Sequence, residues 1–416
     1  MSSAVGILVV VLGILVSVAL HEVGHMVPAK RFGVLVPEYS VGFGPSLWRR
    51  TRAGTTYVLR AILLGGYVRI VGMYAPARPG VPTLNRRGRP TLAEEARQAS
   101  ADEVPEGQEA RAFYSLSAPR KIVVMLGGPV VNLVICVILM VVALMGIGIA
   151  TPSTTLSAVS ATVTTSSGST PAPAQGSGIM AGDRVVSWNG TATQTWDQVR
   201  RAIAGSDGSA ATVVVERGGR ERTVRVTPVK DDEGAWVIGV VAGYEYLPAS
   251  AGETATLTWQ TFTGTVAVLV RLPQELWSVG VSLFTDSPRD STGVVSVVGV
   301  GRLAGEITSA GAGDATSGGI GTRGVTASLL SLLASLNMAL FVFNLIPLPP
   351  LDGGHVAGAV WEGLRRGVAR LRGRGEVGPA DTARLMPLTY GVGAALVAMT
   401  VLLVAADVVD PVKLFG

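Results

Sequence analysis

The stretch Met1–Pro28, MSSAVGILVVVLGILVSVALHEVGHMVP, decides how the rest of the chain is read. Residues 1–20 carry no charged side chain, with a dense apolar core from Ala4. That is the length of a bilayer-crossing helix, about 20 apolar residues. HEVGH follows directly at residues 21–25. On a helix, positions i and i+4 share one face a turn apart, so His21 and His25 can reach one ion. Glu22, beside the first of them, can hydrogen-bond water at that ion without ligating it and can take its proton. Ionisable groups inside a span are costly and usually functional. A secretory leader is the weaker reading, because the stretch has no basic n-region and no small-residue cleavage site follows it.

Composition agrees with a membrane chain. Of 416 residues, 48% are hydrophobic and only 15% charged, against roughly 25% charged in soluble domains. One cysteine excludes a disulfide framework and any cysteine-based metal site. Three further stretches are long and apolar enough to cross a bilayer, at 122–150, 325–351 and 386–406. The expected fold is a polytopic α-helical membrane protein of four transmembrane helices with a water-soluble insert.

The loops differ in charge. Residues 28–121 hold 15 Lys/Arg and 7 Asp/Glu, a net of +8; residues 151–324 hold 12 and 15, a net of −3; residues 347–387 hold 6 and 4, a net of +2. Basic loops stay cytoplasmic, and charges next to the spans, here Lys30, Arg31, Arg120 and Lys121, count most. Both termini and the second loop are therefore expected outside the cytoplasm. The basic surplus flanks spans, where orientation and anionic lipid explain it, so no nucleic-acid partner is expected.

Catalytic zinc usually takes three protein ligands and keeps one position open, so two histidines leave the site one short. Asp352 is the first charge after the 28-residue uncharged run 324–351, in NLIPLPPLDGGH. Pro347, Pro349 and Pro350 cannot continue a regular helix. The span breaks there, and non-helical backbone at membrane depth is tolerated only inside protein or along a wet cavity. His355 is the rival ligand, and the residues alone leave the choice open.

HEVGH in a first span, GGPVVN at 127–132 and NLIPLPPLDGG at 344–354 together resemble the site-2 protease family of intramembrane zinc metalloproteases, most nearly the bacterial regulator-of-sigma-E protease branch. The resemblance covers most of the chain. It implies Zn2+ held by His21, His25 and Asp352, Glu22 as catalytic base, and Asn344 near the active site holding or polarising the substrate. Asn132 either lines the cavity or satisfies a helix kink. The resemblance also implies a bacterial plasma-membrane enzyme cleaving single-pass membrane proteins, anti-sigma factors among them.

Residues 152–177, rich in Ser, Thr, Pro, Ala and Gly and free of charge, read as a linker. From GSGIMAGDRVVSWNG at 176–190, a strand and Asn-Gly turn, a short helix at 195–203, and strands at 212–216 and 222–227 around Gly218–Gly219 are expected. This resembles a bacterial PDZ domain, spanning about 155–230, which would lie outside the cytoplasm and take a peptide or protein tail as an added strand. TTYVLRAILLGGYVRIV at 55–71 reads as two β-type runs joined at Gly65–Gly66, a membrane-associated element whose edge can receive an unwound substrate. The polar, Arg-rich stretch 76–109 reads as flexible, and residues 352–385 as a cytoplasmic loop. Residues 254–284, with Arg271 and Pro273, read as interfacial helices rather than a fifth span, which would move HEVGH and Asp352 to opposite sides. Residues 291–305 resemble a family segment in which Val294 replaces an expected proline. The reading of another class, a catalytically silent PDZ scaffold, leaves Glu22 without a role.

Overall fold

The computed structural model describes residues 3–283, 285, 294–310, 321–373 and 377–409. Among these, four helices are long and apolar enough to cross a membrane: Ser3–Arg31, Ala118–Ile147, Gly321–Asn344 and Thr382–Val409. The chain divides into two compact units, one made of residues 8–139, 256–303 and 332–416, the other of residues 1–7, 140–255 and 304–331.

In the first unit, α1 (Ser3–Arg31) is followed by two long strands, β1 (Glu38–Arg52) and β2 (Thr55–Arg69). They turn at Ala53 and Gly54, both at positive φ (46° and 75°). The pairing folds back on itself: residues 38–41 lie against 66–69 and also against 56–59, while 56–59 pairs onward with 48–51. The segments thus lie in the order 66–69, 38–41, 56–59, 48–51. Gly65–Gly66 thus falls where β2 bends from the run 56–59 to the run 66–69 on the other side of 38–41, with Gly65 at φ +97°. Tyr39 fastens the element to α1, its hydroxyl donating to the Ala19 carbonyl at 2.8 Å.

The stretch expected to be flexible carries α2 (Leu92–Asp102), capped by Thr91, whose side chain accepts from Glu94 N–H. Its Arg97 is buried and bonds both carboxylate oxygens of Asp381 at 2.8 Å. Composition concealed this because the arginine's partner is 284 residues away. The second apolar helix, α3 (Ala118–Met140), ends in a wider π-helical segment, Val141–Ile147.

The second unit holds a six-stranded sheet. Its members are β3 (Ile149–Val159), β6 (Arg184–Trp188), β7 (Thr191–Ala192), β8 (Ala211–Arg217), β9 (Arg220–Val226) and β12 (Val240–Leu247), in the order β12-β3-β6-β8-β9 with β7 beside β6. Two small hairpins, β4–β5 (Thr162–Thr165 and Gly168–Pro171) and β10–β11 (Val229–Lys230 and Trp236–Val237), flank a one-turn helix α4 (Pro173–Gly176) and the sheet. Helix α5 (Trp196–Ala204) starts in a Thr195/Gln198 capping box and buries Val199 and Ile203 against Leu156, Val185, Val213 and Val215. The Asn189–Gly190 and Gly218–Gly219 turns fall where the sequence places them, all four residues at positive φ. Residues 152–177 are not a linker. Their Thr and Val residues form β3 to β5, and the Ser157 hydroxyl donates to Ala242 O on β12 at 2.9 Å. Low charge marked this segment as loose, whereas its Thr and Val residues suit it to a sheet.

Helix α6 (Ala251–Ser282) is one continuous 32-residue helix containing Pro273 rather than several short ones, and it is not among the four long apolar helices. Its Val279 is buried with Leu403 and Ala406 of α10 (Met386–Val409). Residues 291–293 of the 291–305 segment lie outside the described residues; the remainder enters α7 (Val297–Ala310). Ser296 N–H donates to the buried carboxylate of Asp407. Helix α8 (Gly321–Asn344) ends where the proline string begins, and α9 (Asp352–Leu371) starts at the DGG sequence, so the expected loop opens with a 20-residue helix.

α9 is tied to the start of α3 by a buried ion pair, Lys121 Nζ to Glu362 Oε2 at 2.8 Å. Removing one partner of such a pair leaves an uncompensated charge. Glu362→Ala is expected to lose roughly 3–5 kcal/mol of stability, read as a clear fall in the melting midpoint of detergent-purified protein. An unchanged midpoint would show the pair to be idle.

Candidate metal centre

HEVGH lies in the last turns of α1, and its two imidazoles face one another, Nε2 to Nε2 at 3.1 Å. Each Nε2 is 3.4 Å from Oδ2 of Asp352, the first residue of α9. That oxygen is buried and has no hydrogen-bond partner. With both Nε2 atoms unprotonated, three lone-pair donors this close repel, and a cation at their centre removes the repulsion. Zinc bonds of about 2.0–2.1 Å in a tetrahedron put ligand atoms about 3.3–3.4 Å apart, close to the observed edges. The donor set therefore fits zinc.

The outward nitrogens of the two rings are held as well. His25 Nδ1 meets the Val124 carbonyl at 2.8 Å, so it carries the proton and leaves Nε2 free. His21 Nδ1 meets the Asn132 amide nitrogen at 3.1 Å, while Asn132 Oδ1 is buried without a partner. The same amide turned over sets Oδ1 on a His21 Nδ1–H, the tautomer with Nε2 free; the two orientations have the same shape. Asn132 thus orients a candidate ligand, a role its motif did not reveal. His355 is outside the triangle: the ligand atoms of His21, His25 and Asp352 lie within 4.8 Å of one another, while the His355 ring stands beside Tyr74, centroids 6.4 Å apart.

Backbone proximity makes the triangle. A Cβ on Gly24 would strike the carbonyl of Gly127, and one on Gly128 would strike His25 Nε2 and come within 2.7 Å of His21 Nε2. Only hydrogen at these three positions lets α1 and α3 approach so closely. A Cβ on Gly353 would meet the Ile346 carbonyl, and one on Gly354 would come within 2.5 Å of Pro349 N, so the start of α9 is tucked under the broken segment 345–350. Repeated glycine was the available signal; the partner of each glycine was not.

The triad opens onto a cavity of about 870 Å³, lined also by Glu22, Tyr67–Arg69 of β2 and the following Ile70, Asn344, Pro350 and one face of α2. Glu22 lies beside the Val68 backbone. The Asn344 side chain makes no hydrogen bond within the described residues. His21, Glu22, His25, Asn344 and Asp352 line this one cavity, as does His355, whereas Asn132 is not in its lining.

Apolar helices enclosing two histidines, a carboxylate ligand candidate and an adjacent glutamate define a membrane-embedded metallopeptidase architecture. Residues 9–377 match the family model described as Peptidase family M50. The chain is 31% identical to the zinc metalloprotease Rip1 of Mycobacterium bovis, over 99% of this chain and 98% of that protein. It is likewise 31% identical to the zinc metalloprotease Rip1 of Mycolicibacterium smegmatis over the full length of both. Similarity to the metalloprotease MmpA of Caulobacter vibrioides is 27%, over 87% and 88%. The chain belongs to peptidase family M50. It is a multi-pass zinc metalloprotease, with His21, His25 and Asp352 positioned to form the metal site.

Outer partners of metal-bound histidines are typically worth 10–100-fold in metal affinity. Asn132→Ala is expected to weaken zinc binding by about that factor, measured by chelator competition on purified protein; an unchanged affinity would reduce Asn132 to packing. Gly128→Ala should lower the zinc content of purified protein well below that of the unaltered chain, by displacing both rings.

Proposed function

We propose that this metalloprotease cuts the transmembrane segments of single-pass membrane proteins inside the bilayer. His21, His25 and Asp352 hold the zinc, Glu22 is the catalytic base, and Asn344 positions the peptide. The observation that carries the reading is one cavity holding the three ligand candidates, Glu22 and residues 67–69 of β2 together.

Bound zinc supplies Lewis-acid chemistry at the scissile carbonyl. Glu22 takes the proton of the attacking water and returns it to the leaving amine, which requires a carboxylate near the reacting atoms but outside the ligand set. Asn344 has an amide free to hydrogen-bond an unwound peptide at the break in α8. The outer edge of residues 66–69 supplies backbone partners to a substrate that has lost its helical hydrogen bonds in lipid.

In this reading the centre lies toward the cytoplasmic face, with both termini and the six-stranded domain outside, in a bacterial plasma membrane. The juxtaposition of Asp352 with HEVGH supports α6 as an interfacial helix, since one more span would separate them. The sheet domain acts as a PDZ module for a substrate tail. Its likeness to that fold rests on the sheet and α5, though β3 and β12 carry the domain beyond 155–230, to 149 and 247. A cavity of about 890 Å³ beside α5, walled by Trp196, Trp236, Arg200 and Arg201 together with Asp197, Asp231 and Asp232, offers room for such a tail. Anti-sigma factors are the substrates that the family resemblance suggests, the released cytoplasmic portion then altering transcription. A scaffold role would leave Glu22 unexplained.

Glu22→Gln tests the assignment. The variant is expected to keep its zinc and to lose at least about 10²-fold in cleavage rate, followed by gel analysis of a reconstituted single-pass substrate. Wild-type turnover in the variant would sink the reading of Glu22 as base.

A further inference from the structure

A second cavity, of about 1320 Å³, takes no part in the chemistry above. Arg78, Tyr114, Arg366, Arg370 and Asp381 stand in its wall. Tyr114 lies shortly before α3 and Asp381 shortly before α10, so the cavity is at the end where two spans begin. In a bilayer crossed by those two spans, that end faces the headgroup phosphates of one leaflet. Its charge is one-sided. Asp381 is the single acid of the lining, and it is already matched by Arg97 through two bonds at 2.8 Å and by Arg384 at 3.0 Å. Arg366 is paired to Glu362 at 2.9 Å, a carboxylate that also holds Lys121.

Arg78 and Arg370 have no carboxylate partner among the described residues. Arg78 and the neighbouring Arg365 donate to the same two carbonyls, Gly378 O and Pro379 O. Burial, and then the nearby Arg78 charge, pull the Arg365 guanidinium below its ordinary pKa. Crowded cations beside a roomy cavity are relieved by an anion, and guanidinium forks match phosphate oxygens in pairs.

We propose that this cavity binds a phosphate-bearing anion, of the kind an anionic phospholipid headgroup presents at the membrane surface. The site is separate from the metal centre, and the proposal does not depend on the proteolytic reading. Arg370 is exposed, in the last turn of α9, so shortening it leaves the packing intact.

The test is native mass spectrometry of the full chain in detergent with added phosphatidylglycerol. Arg370→Gln is expected to retain the lipid roughly tenfold less, Arg370→Lys to keep most of it, and Arg225→Gln, in the sheet domain, to change nothing. Retention that inorganic phosphate does not displace identifies the lipid as the source of the phosphate. Displacement, or Arg370-dependent binding of inorganic phosphate alone, identifies a soluble one; either upholds the site. Equal retention by the wild type and Arg370→Gln, or equal retention of phosphatidylcholine, overturns it. Should Arg370→Gln melt early, the wild type decides: lipid retention indifferent to ionic strength also overturns the proposal.

Discussion

Everything in the first unit depends on how closely α1 and α3 can approach. Gly24, Gly127 and Gly128 present bare backbone to one another, and the two imidazoles of α1 lie directly on Gly128. In a bilayer there is no hydrophobic drive to pull helices together, so close packing of small residues and interhelical hydrogen bonds must do it. The crossing serves both needs here. It brings Val124 O and Asn132 within reach of the rings, which fixes their orientation, and it leaves their Nε2 atoms turned toward Asp352.

The third ligand candidate arrives by a different device. A continuous helix through 344–352 would carry Asp352 onward along the axis of α8. The break at Asn344 and the new start at Asp352 instead place the carboxylate at the first turn of α9, with Gly353 and Gly354 packed beneath the proline segment. The same break frees the Asn344 amide. One irregular stretch thus supplies a candidate ligand position, an amide lining the cavity and part of the cavity wall.

Several polar side chains inside this unit are paired across elements. Ser17 and Asn337 join α1 to α8 at 3.0 Å, Lys121 and Glu362 join α3 to α9, and Arg97 ties α2 to Asp381 just ahead of α10. Each pairing offsets a desolvation cost that its members would bear alone. The α2 face that Arg97 anchors forms one side of the metal cavity, so a polar loop by composition contributes a wall of the site.

The sequence by itself determined the four long apolar helices, because length and lack of charge are local properties. It also brought His21, Glu22 and His25 together, because they share one helix and their spacing alone puts two rings on one face. The turns at Asn189–Gly190 and Gly218–Gly219 were legible for the same reason, since positive φ is written into residue type. Tertiary structure decided what depends on partners distant in the chain. The choice of Asp352 over His355 is a matter of distance, and Asn132 as orienter of His21 is a contact across 111 residues. Strand pairing turned the uncharged 152–177 segment into β3 to β5, set the hairpin turn at Ala53–Gly54, and let a buried arginine order α2. Local pattern fixes which structures a segment can adopt; the partner that satisfies its hydrogen bonds and charges selects among them.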